Sequence, residues 1–240
     1  MFIHNKEFYL KHCSLSISGG GMRSISALGV IKRLEELNYS IDTISGTSGG
    51  SIIALLYAYG LSIEEIKDFV LNLDKKYIFR PTFKSFFSLD YLEEQLREII
   101  KDRMLEKNIF ICVTNLDTGE PEYINSGDLV KYVIASCSLI PFFKPMLINK
   151  INYADGGYTD NLPVEPIVSN FKISVNVNNI YDSNLFRKLA FILMNSNIKY
   201  SISISDLYIN IDNLKDMHLF DFNKFDFAIN AGYEKAKQYL

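Results

Sequence analysis

A short apolar strand that runs into a glycine-rich turn and then a helix occurs twice near the start of this chain. Residues 14–18 form the first strand-like run, and a GGG turn at 19–21 leads to apolar residues at helical spacing over 23–37. Residues 41–45 form the second run, which ends in GTSGG at 46–50 before a helix that is apolar nearly all round. Such a helix is expected to be buried. Successive strand–turn–helix units predict an α/β fold with a mainly parallel central sheet.

The rest of the chain continues this alternation. With 240 residues, 48% hydrophobic and 22% charged, the composition is that of a globular protein, and we expect one domain over residues 1–240. Ser62 and Glu65 have the spacing of a helix capping box. Further strand-like runs are predicted at 109–114, 121–125, 146–153, 172–177 and 207–211, and further helices at 90–104, 129–136, 184–204 and 223–240.

Charge and cysteine content limit the classes of partner and the compartment. A net charge of −3 without a dense basic run argues against nucleic acid as a partner. Three cysteines without paired spacing indicate a reducing compartment, and neither they nor the three histidines show metal-ligand spacing. The N-terminus has no signal-peptide pattern, and the apolar runs are too short to cross a bilayer. We therefore expect a cytoplasmic protein, with export by a non-cleaved route left open.

The segment 77–87 combines aromatic and basic residues. Five rings alternate with lysine and arginine, and Pro81 prevents a regular helix. One interpretation is a loop whose rings bury in the core, since aromatic side chains bury most of their area. The other is a flap beside the active site that touches a membrane surface.

The GTSGG turn matches the pattern Gly-x-Ser-x-Gly, with Ser48 at its centre and Gly46 and Gly50 on either side. A nucleophile on a sharp strand-to-helix turn needs strained backbone angles, and its neighbours two residues away come too close for any side chain. The helix N-terminus also favours developing negative charge at the hydroxyl. The alternative is an ordinary turn between a strand and a helix.

The first glycine turn has the character of an anion-binding loop. Its residues are Gly19, Gly20, Gly21, Met22 and Arg23. Three glycines at a strand-to-helix junction leave backbone N–H groups bare, which suits a phosphate or an oxyanion. The spacing fits neither Gly-x-Gly-x-x-Gly nor a P-loop. An oxyanion hole is the better interpretation, and Arg23 either holds the loop or attracts a lipid phosphate.

A third motif, Asp155-Gly156-Gly157, follows the strand-like run that ends at residue 154. A carboxylate there lies at a strand end, where α/β sheets place their sites. The alternative is a simple Asp-Gly turn.

Together, in this order, the motifs resemble those of the patatin-like phospholipase family. The resemblance extends to Ala135-Ser136, Pro141, Asn161-Leu162-Pro163 and the closing segment 219–233. It implies a three-layer α/β/α patatin-like fold and a serine–aspartate dyad in which Ser48 is the nucleophile and Asp155 the base. It also implies an oxyanion hole in the loop 19–23, with Gly156 and Gly157 supporting the acid. The one departure is Ser24, where the family usually has glycine.

The same resemblance implies lipid or phospholipid substrates, cleavage of acyl esters and no metal cofactor. Two other functions stay open: a thioesterase or transacylase, and a lipid-binding protein that has lost turnover. A conventional triad would need a histidine after the acid, and His218 is the one candidate. Peripheral contact with a membrane surface is a further expectation, whereas oligomeric state is not determined by the sequence.

Overall fold

The computed structural model describes residues 10–78, 87–178, 188, 192, 194–214, 217–218, 221 and 223–240. Within them, the strands are β1 (Lys11–Ile17), β2 (Tyr39–Thr47), β3 (Asn108–Asn115), β4 (Pro121–Ile124), β5 (Met146–Ile148), β6 (Ile151–Asp155), β7 (Lys172–Asn176) and β8 (Leu207–Asn210). The helices are α1 (Ala27–Glu36), α2 (Gly49–Ala58), α3 (Ile63–Asn72), α4 (Lys75–Ile78), α5 (Asp90–Ile100), α6 (Leu129–Ser136), α7 (Lys199–Ser203) and α8 (Phe225–Ala236). Short 3-10 helices cover Gly21–Ser26 and Gly156–Tyr158.

The strands form one eight-stranded mixed sheet. Hydrogen bonds link them in the order β5-β6-β3-β2-β1-β7-β8, and β4 also pairs with β3. The run β3-β2-β1-β7-β8 is parallel, whereas β4, β5 and β6 pair antiparallel. From β1 the chain continues to β2 on one side, and from β7 it continues to β8 on the opposite side. The crevice beyond the ends of β1 and β7 is therefore the topological switch point, where α/β proteins bind ligands.

One face of the central strands is apolar. Leu15 of β1 lies in register with Ile44 of β2 and Ile173 of β7, and all three side chains are fully buried. They belong to the main core, which also contains the apolar faces of α1, α2 and α8. The apolar residues of this face occupy alternate positions of each strand, because alternate side chains point to the same side of a sheet.

The opposite face is lined by serines. Ser16, Ser45 and Ser174 lie in register and are fully buried. Ser45 donates to the carbonyl of Pro163, and Ser205 donates to Ser174. Because these side chains are small, the chain that follows the Asp155 motif can pack directly on the sheet. Helices and connecting chain therefore cover both faces, and the α/β/α prediction is confirmed.

Most predicted elements are present, with shifted ends. The first helix is preceded by a 3-10 turn and begins at Ala27 rather than at 23. The helix predicted over 90–104 ends at Ile100. The capping box of Ser62 and Glu65 is confirmed.

Two predicted segments are described only in part. The predicted helix over 184–204 lies partly outside the described residues, and its described end holds the short helix α7. Of the aromatic segment 77–87, residues 79–86, which include Lys84, lie outside the described residues, and the prediction of membrane contact stays a prediction. No helix in the described ranges is long and apolar enough to cross a membrane.

Candidate active site

The two strands that carry the predicted dyad meet on the same edge of β3. Thr47 at the end of β2 pairs with Cys112, and Asp155 at the end of β6 pairs with the next residue, Val113. Strand β4 pairs with both Cys112 and Val113 and therefore occupies the other edge. The chain thus brings the end of β2 and the end of β6 head to head, so that Ser48 and Asp155 become neighbours.

Ser48 lies on a strained turn between β2 and α2. Its backbone angles are φ 51° and ψ −126°, a region that residues with a side chain rarely adopt. A Cβ on Gly46 would collide with the carbonyl of Gly50, and one on Gly50 would lie 2.6 Å from the carbonyl oxygen of Ile17. Both flanking glycines are therefore required by close backbone packing. The turn has the shape of a nucleophile elbow.

The hydroxyl of Ser48 donates to Oδ2 of Asp155 at 2.7 Å. The other carboxylate oxygen, Oδ1, accepts from the backbone N–H of Gly157 at 2.8 Å, and Thr114 Oγ1 donates to the Asp155 carbonyl at 2.8 Å. The Asp155 side chain is buried, with 2% exposure. Desolvation raises its pKa to about 7, against the two donors, which lower it. A buried aspartate of this kind can accept a proton near neutral pH.

The glycine loop after β1 lies beside this pair. The N–H of Gly19 donates to the Asn161 carbonyl at 3.1 Å, and that of Arg23 donates to the Gly20 carbonyl at 3.2 Å. The N–H groups of Gly20, Gly21 and Met22 make no hydrogen bond to any described residue. Of the five residues predicted for an oxyanion hole, these three keep an available amide.

Arg23 holds the loop from behind. Its side chain is buried at 4% exposure, and Nε donates to the carbonyl of Met217 at 2.7 Å. Of the two interpretations of Arg23, the structure therefore agrees with support of the loop rather than attraction of a lipid phosphate. Ser24 is also buried and donates to the Ser18 carbonyl at 3.2 Å. The departure from the family pattern at this position is thus accommodated beneath the loop.

A pocket opens from the Ser48–Asp155 pair. The empty space within it is about 1010 Å³ when the open solvent at its mouth is included. The loop 19–22 and the dyad form one end. Apolar side chains of α2, α3, α4 and α5 and of the adjoining loops line the rest, among them Ile25, Ile52, Ile53, Val70, Leu73, Ile78, Leu89, Leu92, Leu139 and Phe143.

Three residues of this site were not singled out by the sequence for a role. Gly49 follows Ser48, and its N–H makes no hydrogen bond to a described residue; a Cβ there would collide with the carbonyl of Gly21. Ser136 accepts from the N–H of Ser48 at 2.8 Å, and Asn161 supports Gly19 through its carbonyl. Ser136 and Asn161 belong to motifs noted in the sequence, but their partners lie far along the chain.

The described histidines lie away from the pocket. His12 is exposed and bonds Asp42 at 2.8 Å, and His218 is exposed between the last strand and the last helix. Neither lines the pocket. His4 lies outside the described residues.

This fold and site define an α/β protein with a serine on a nucleophile elbow, hydrogen-bonded to a buried carboxylate beside a glycine loop. The comparison with known families agrees: the patatin-like phospholipase family matches residues 15–168. The chain belongs to this family, as the motif resemblance predicts.

Relatives share the sequence over part of their length. "Lysophospholipase nte1" of Aspergillus fumigatus is 35% identical over 166 residues, which cover 63% of this chain and 11% of the relative. "Uncharacterized protein R571" of Acanthamoeba polyphaga mimivirus is 30% identical over 178 residues, covering 63% of this chain and 60% of the relative. The chain therefore spans less than two thirds of either relative.

A solved structure shares the fold. VipD from Legionella pneumophila superposes with a TM-score of 0.55 at 16% identity, covering 95% of this chain and 66% of that one.

Proposed function

We propose that this protein is a serine acyl hydrolase that cleaves acyl esters of phospholipids or related lipids with a Ser48–Asp155 dyad. The observation that carries the proposal is the 2.7 Å hydrogen bond from Ser48 Oγ to Asp155 Oδ2 at the end of an apolar pocket. A hydroxyl that already donates to a buried carboxylate is prepared to lose its proton as it attacks.

In the proposed reaction, Ser48 Oγ bonds to the ester carbonyl carbon while its proton passes to Asp155. The carbonyl oxygen gains the negative charge, and the available N–H groups of Gly20, Gly21 and Met22, together with that of Gly49, supply donors for it. The tetrahedral intermediate then expels the alcohol, which takes the proton back from Asp155. Water, deprotonated by the same carboxylate, then attacks the acyl-enzyme. As the bond to Ser48 Oγ breaks, Asp155 returns the proton to Oγ, which releases the fatty acid and free Ser48.

The pocket and the family both support a lipid as the substrate. Its walls away from the dyad are apolar, as an acyl chain requires. The available amides lie at the end that holds the dyad, so a chain in the apolar part would present its ester to Ser48. The name of the fungal relative, lysophospholipase, supports phospholipid-type esters as the first substrates to test.

The experiment is Ser48→Ala measured on a phospholipid and on a soluble short-chain ester. We expect a loss of at least about three orders of magnitude in kcat, as is typical when a covalent nucleophile is removed. The melting temperature should stay close to that of the wild type, because the hydroxyl contributes one hydrogen bond at a partly exposed position. Near-normal turnover in a folded variant would refute the assignment.

A fluorophosphonate probe separates this proposal from its alternatives. Labelling at Ser48, located by peptide mass spectrometry, identifies an activated serine, whereas a silent lipid-binding protein would remain unlabelled. Labelling combined with preference for acyl thioesters, or with transfer to an acceptor other than water, would replace the hydrolase by a thioesterase or a transacylase.

A further inference from the structure

The C-terminal turn of α6 contacts both members of the dyad. The Ser136 hydroxyl accepts from the N–H of Ser48 at 2.8 Å, and the carbonyl of Ser138 accepts from the N–H of Asp155 at 3.1 Å. Nucleophile and acid come from β2 and β6, which do not pair with each other. This turn is thus a direct link between the two residues that must stay in hydrogen-bond contact.

The hydrogen bonds of the Ser136 hydroxyl have a defined direction. Its single proton is donated to the carbonyl of Cys112 at 2.7 Å, so the lone pairs are left for the N–H of Ser48. The hydroxyl therefore bridges β3 to the first residue after β2, where the chain leaves the sheet for the elbow. Ser136 is fully buried, so bulk solvent does not reach the acceptor that the Ser48 N–H uses.

We propose that Ser136 is a positioning residue: its hydroxyl holds the Ser48 backbone in the strained elbow and thereby keeps Oγ within hydrogen-bond distance of Asp155. This inference rests on the proposed hydrolase function and adds to it a residue that does not touch the substrate. Ser136 does not line the pocket, in contrast to its neighbour Cys137.

The strained angles of Ser48 give the physical reason. A residue in such a conformation persists only where the surroundings over-determine it. In Ser136→Ala the Ser48 N–H loses its acceptor in a buried site, and the elbow can relax away from φ 51°. The bond from Ser48 Oγ, which lowers the pKa of Asp155, then weakens.

The test compares kcat, KM and the pH profile of Ser136→Ala with those of the wild type. We expect kcat to fall roughly 10- to 100-fold, the loss that a misplacement of about 1 Å produces, with KM changed less than about two-fold. We also expect the acid limb of kcat/KM to move to higher pH, because a carboxylate that loses a donor binds its proton more tightly. A merely structural loss would lower the active fraction and leave that limb unmoved.

Ser16→Ala is the matched control. Ser16 is also fully buried, but its hydroxyl has no hydrogen-bond partner among the described residues, and it lies on the serine face of the sheet. Its kcat and acid limb should match those of the wild type. If Ser136→Ala does not melt cooperatively, Ser136→Cys is used instead, since a thiol fills the space but accepts hydrogen bonds weakly.

The outcomes separate the two proposals. An unlabelled, inactive wild type would refute the hydrolase, and this role of Ser136 with it. An active wild type whose Ser136 variant keeps its kcat, or loses kcat without a shift of the acid limb, would overturn the positioning role and leave the hydrolase intact. If the natural ester is cleaved too slowly to measure, the rate of fluorophosphonate labelling is compared between the wild type and the Ser136 variant instead.

Discussion

Asp155 is the base in the proposed mechanism, and its burial has opposite consequences for catalysis and for stability. Its carboxylate is buried with two donors, the Ser48 hydroxyl and the Gly157 N–H, and desolvation outweighs them to raise the pKa to about 7. Burying an acid whose charged form is poorly solvated destabilises the fold once the solution is alkaline enough to ionise it. In the proposed mechanism, the same burial gives Asp155 a proton affinity that suits a base acting near neutral pH.

The stability of Asp155→Asn should reveal this cost. Because the folded pKa lies above the unfolded value, the contribution of Asp155 is fully present below about pH 4 and is lost as the pH rises through about 7. Between pH 5 and pH 8 the wild type should therefore lose on the order of 2 kcal/mol relative to the variant, which cannot ionise. Urea unfolding at several pH values measures the difference.

The same variant should lose nearly all turnover, since an amide cannot take the proton from Ser48. Asp160 is a buried acid outside the pocket lining, and its carboxylate accepts a hydrogen bond of 2.8 Å from the Tyr123 hydroxyl. Because it has no role in the proposed mechanism, it serves as the comparison for Asp155. A stability difference between wild type and Asp155→Asn that does not vary with pH would contradict the raised pKa.

At the scale of elements, the site depends on contact between the glycine loop and the start of α2. Gly49 begins the helix directly after the nucleophile, and the space where its Cβ would stand is occupied by the carbonyl of Gly21. Gly21 itself has φ 56°, which favours glycine. The amides proposed as oxyanion donors are thus arranged by two backbones in direct contact.

Gly49→Ala should separate these backbones. The added methyl forces the loop 19–22 away from the elbow, so the amide donors move from the developing oxyanion, and we expect a loss of about 100-fold or more in kcat. Steady-state kinetics on a short-chain ester measure this loss. Gly119→Ala is the control: it lies in the turn before β4, has open space around its Cβ and does not line the pocket. Its φ of 78° strains an alanine in that turn, so the variant can lose stability, but kcat should change less than about two-fold.

At the scale of the whole molecule, the chain brings a serine and an acid together and leaves the described histidines on the surface. His12 lies at the start of β1 and His218 beyond β8. A Ser-His-Asp triad requires a histidine hydrogen-bonded to both partners. In this structure the Ser48 hydroxyl donates a hydrogen bond directly to the Asp155 carboxylate, with no group between them.

A variant with His4, His12 and His218 all replaced by glutamine or asparagine should therefore keep most of its activity. The measurement is kcat/KM across pH, because a catalytic imidazole would also contribute its own limb to the profile. A folded His218→Asn protein as inactive as Ser48→Ala would establish a triad in place of the dyad.

Local features of this protein could be predicted from its sequence. The strand–turn–helix units, the elbow glycines and the capping box depend on residues within a few positions of one another, and the structure contains all of them. The ends of helices were less predictable: the 3-10 turn Gly21–Ser26 replaces the first helical turn, because the loop backbone follows the contact with Gly49 rather than helix propensity.

Long-range features could not be predicted from local pattern. Ser48 and Asp155 are 107 positions apart, and Ser48 and Ser136 are 88 apart. The resemblance to the family paired Ser48 with Asp155. No pattern in the sequence indicated that the Ser136 hydroxyl accepts a hydrogen bond from the backbone N–H of Ser48. Nor did the sequence tell that the Gly19 amide is occupied, since its partner, the Asn161 carbonyl, is brought to it by tertiary packing.

The sequence by itself therefore determined the α/β class, the strained turn at Ser48 and the chemical groups of the candidate site, because glycine spacing and apolar periodicity act locally. The tertiary structure decided the distance between nucleophile and acid, through the register of β3 with both β2 and β6. It also decided the pKa of Asp155, because desolvation depends on everything that encloses the carboxylate and not on its neighbours in the chain.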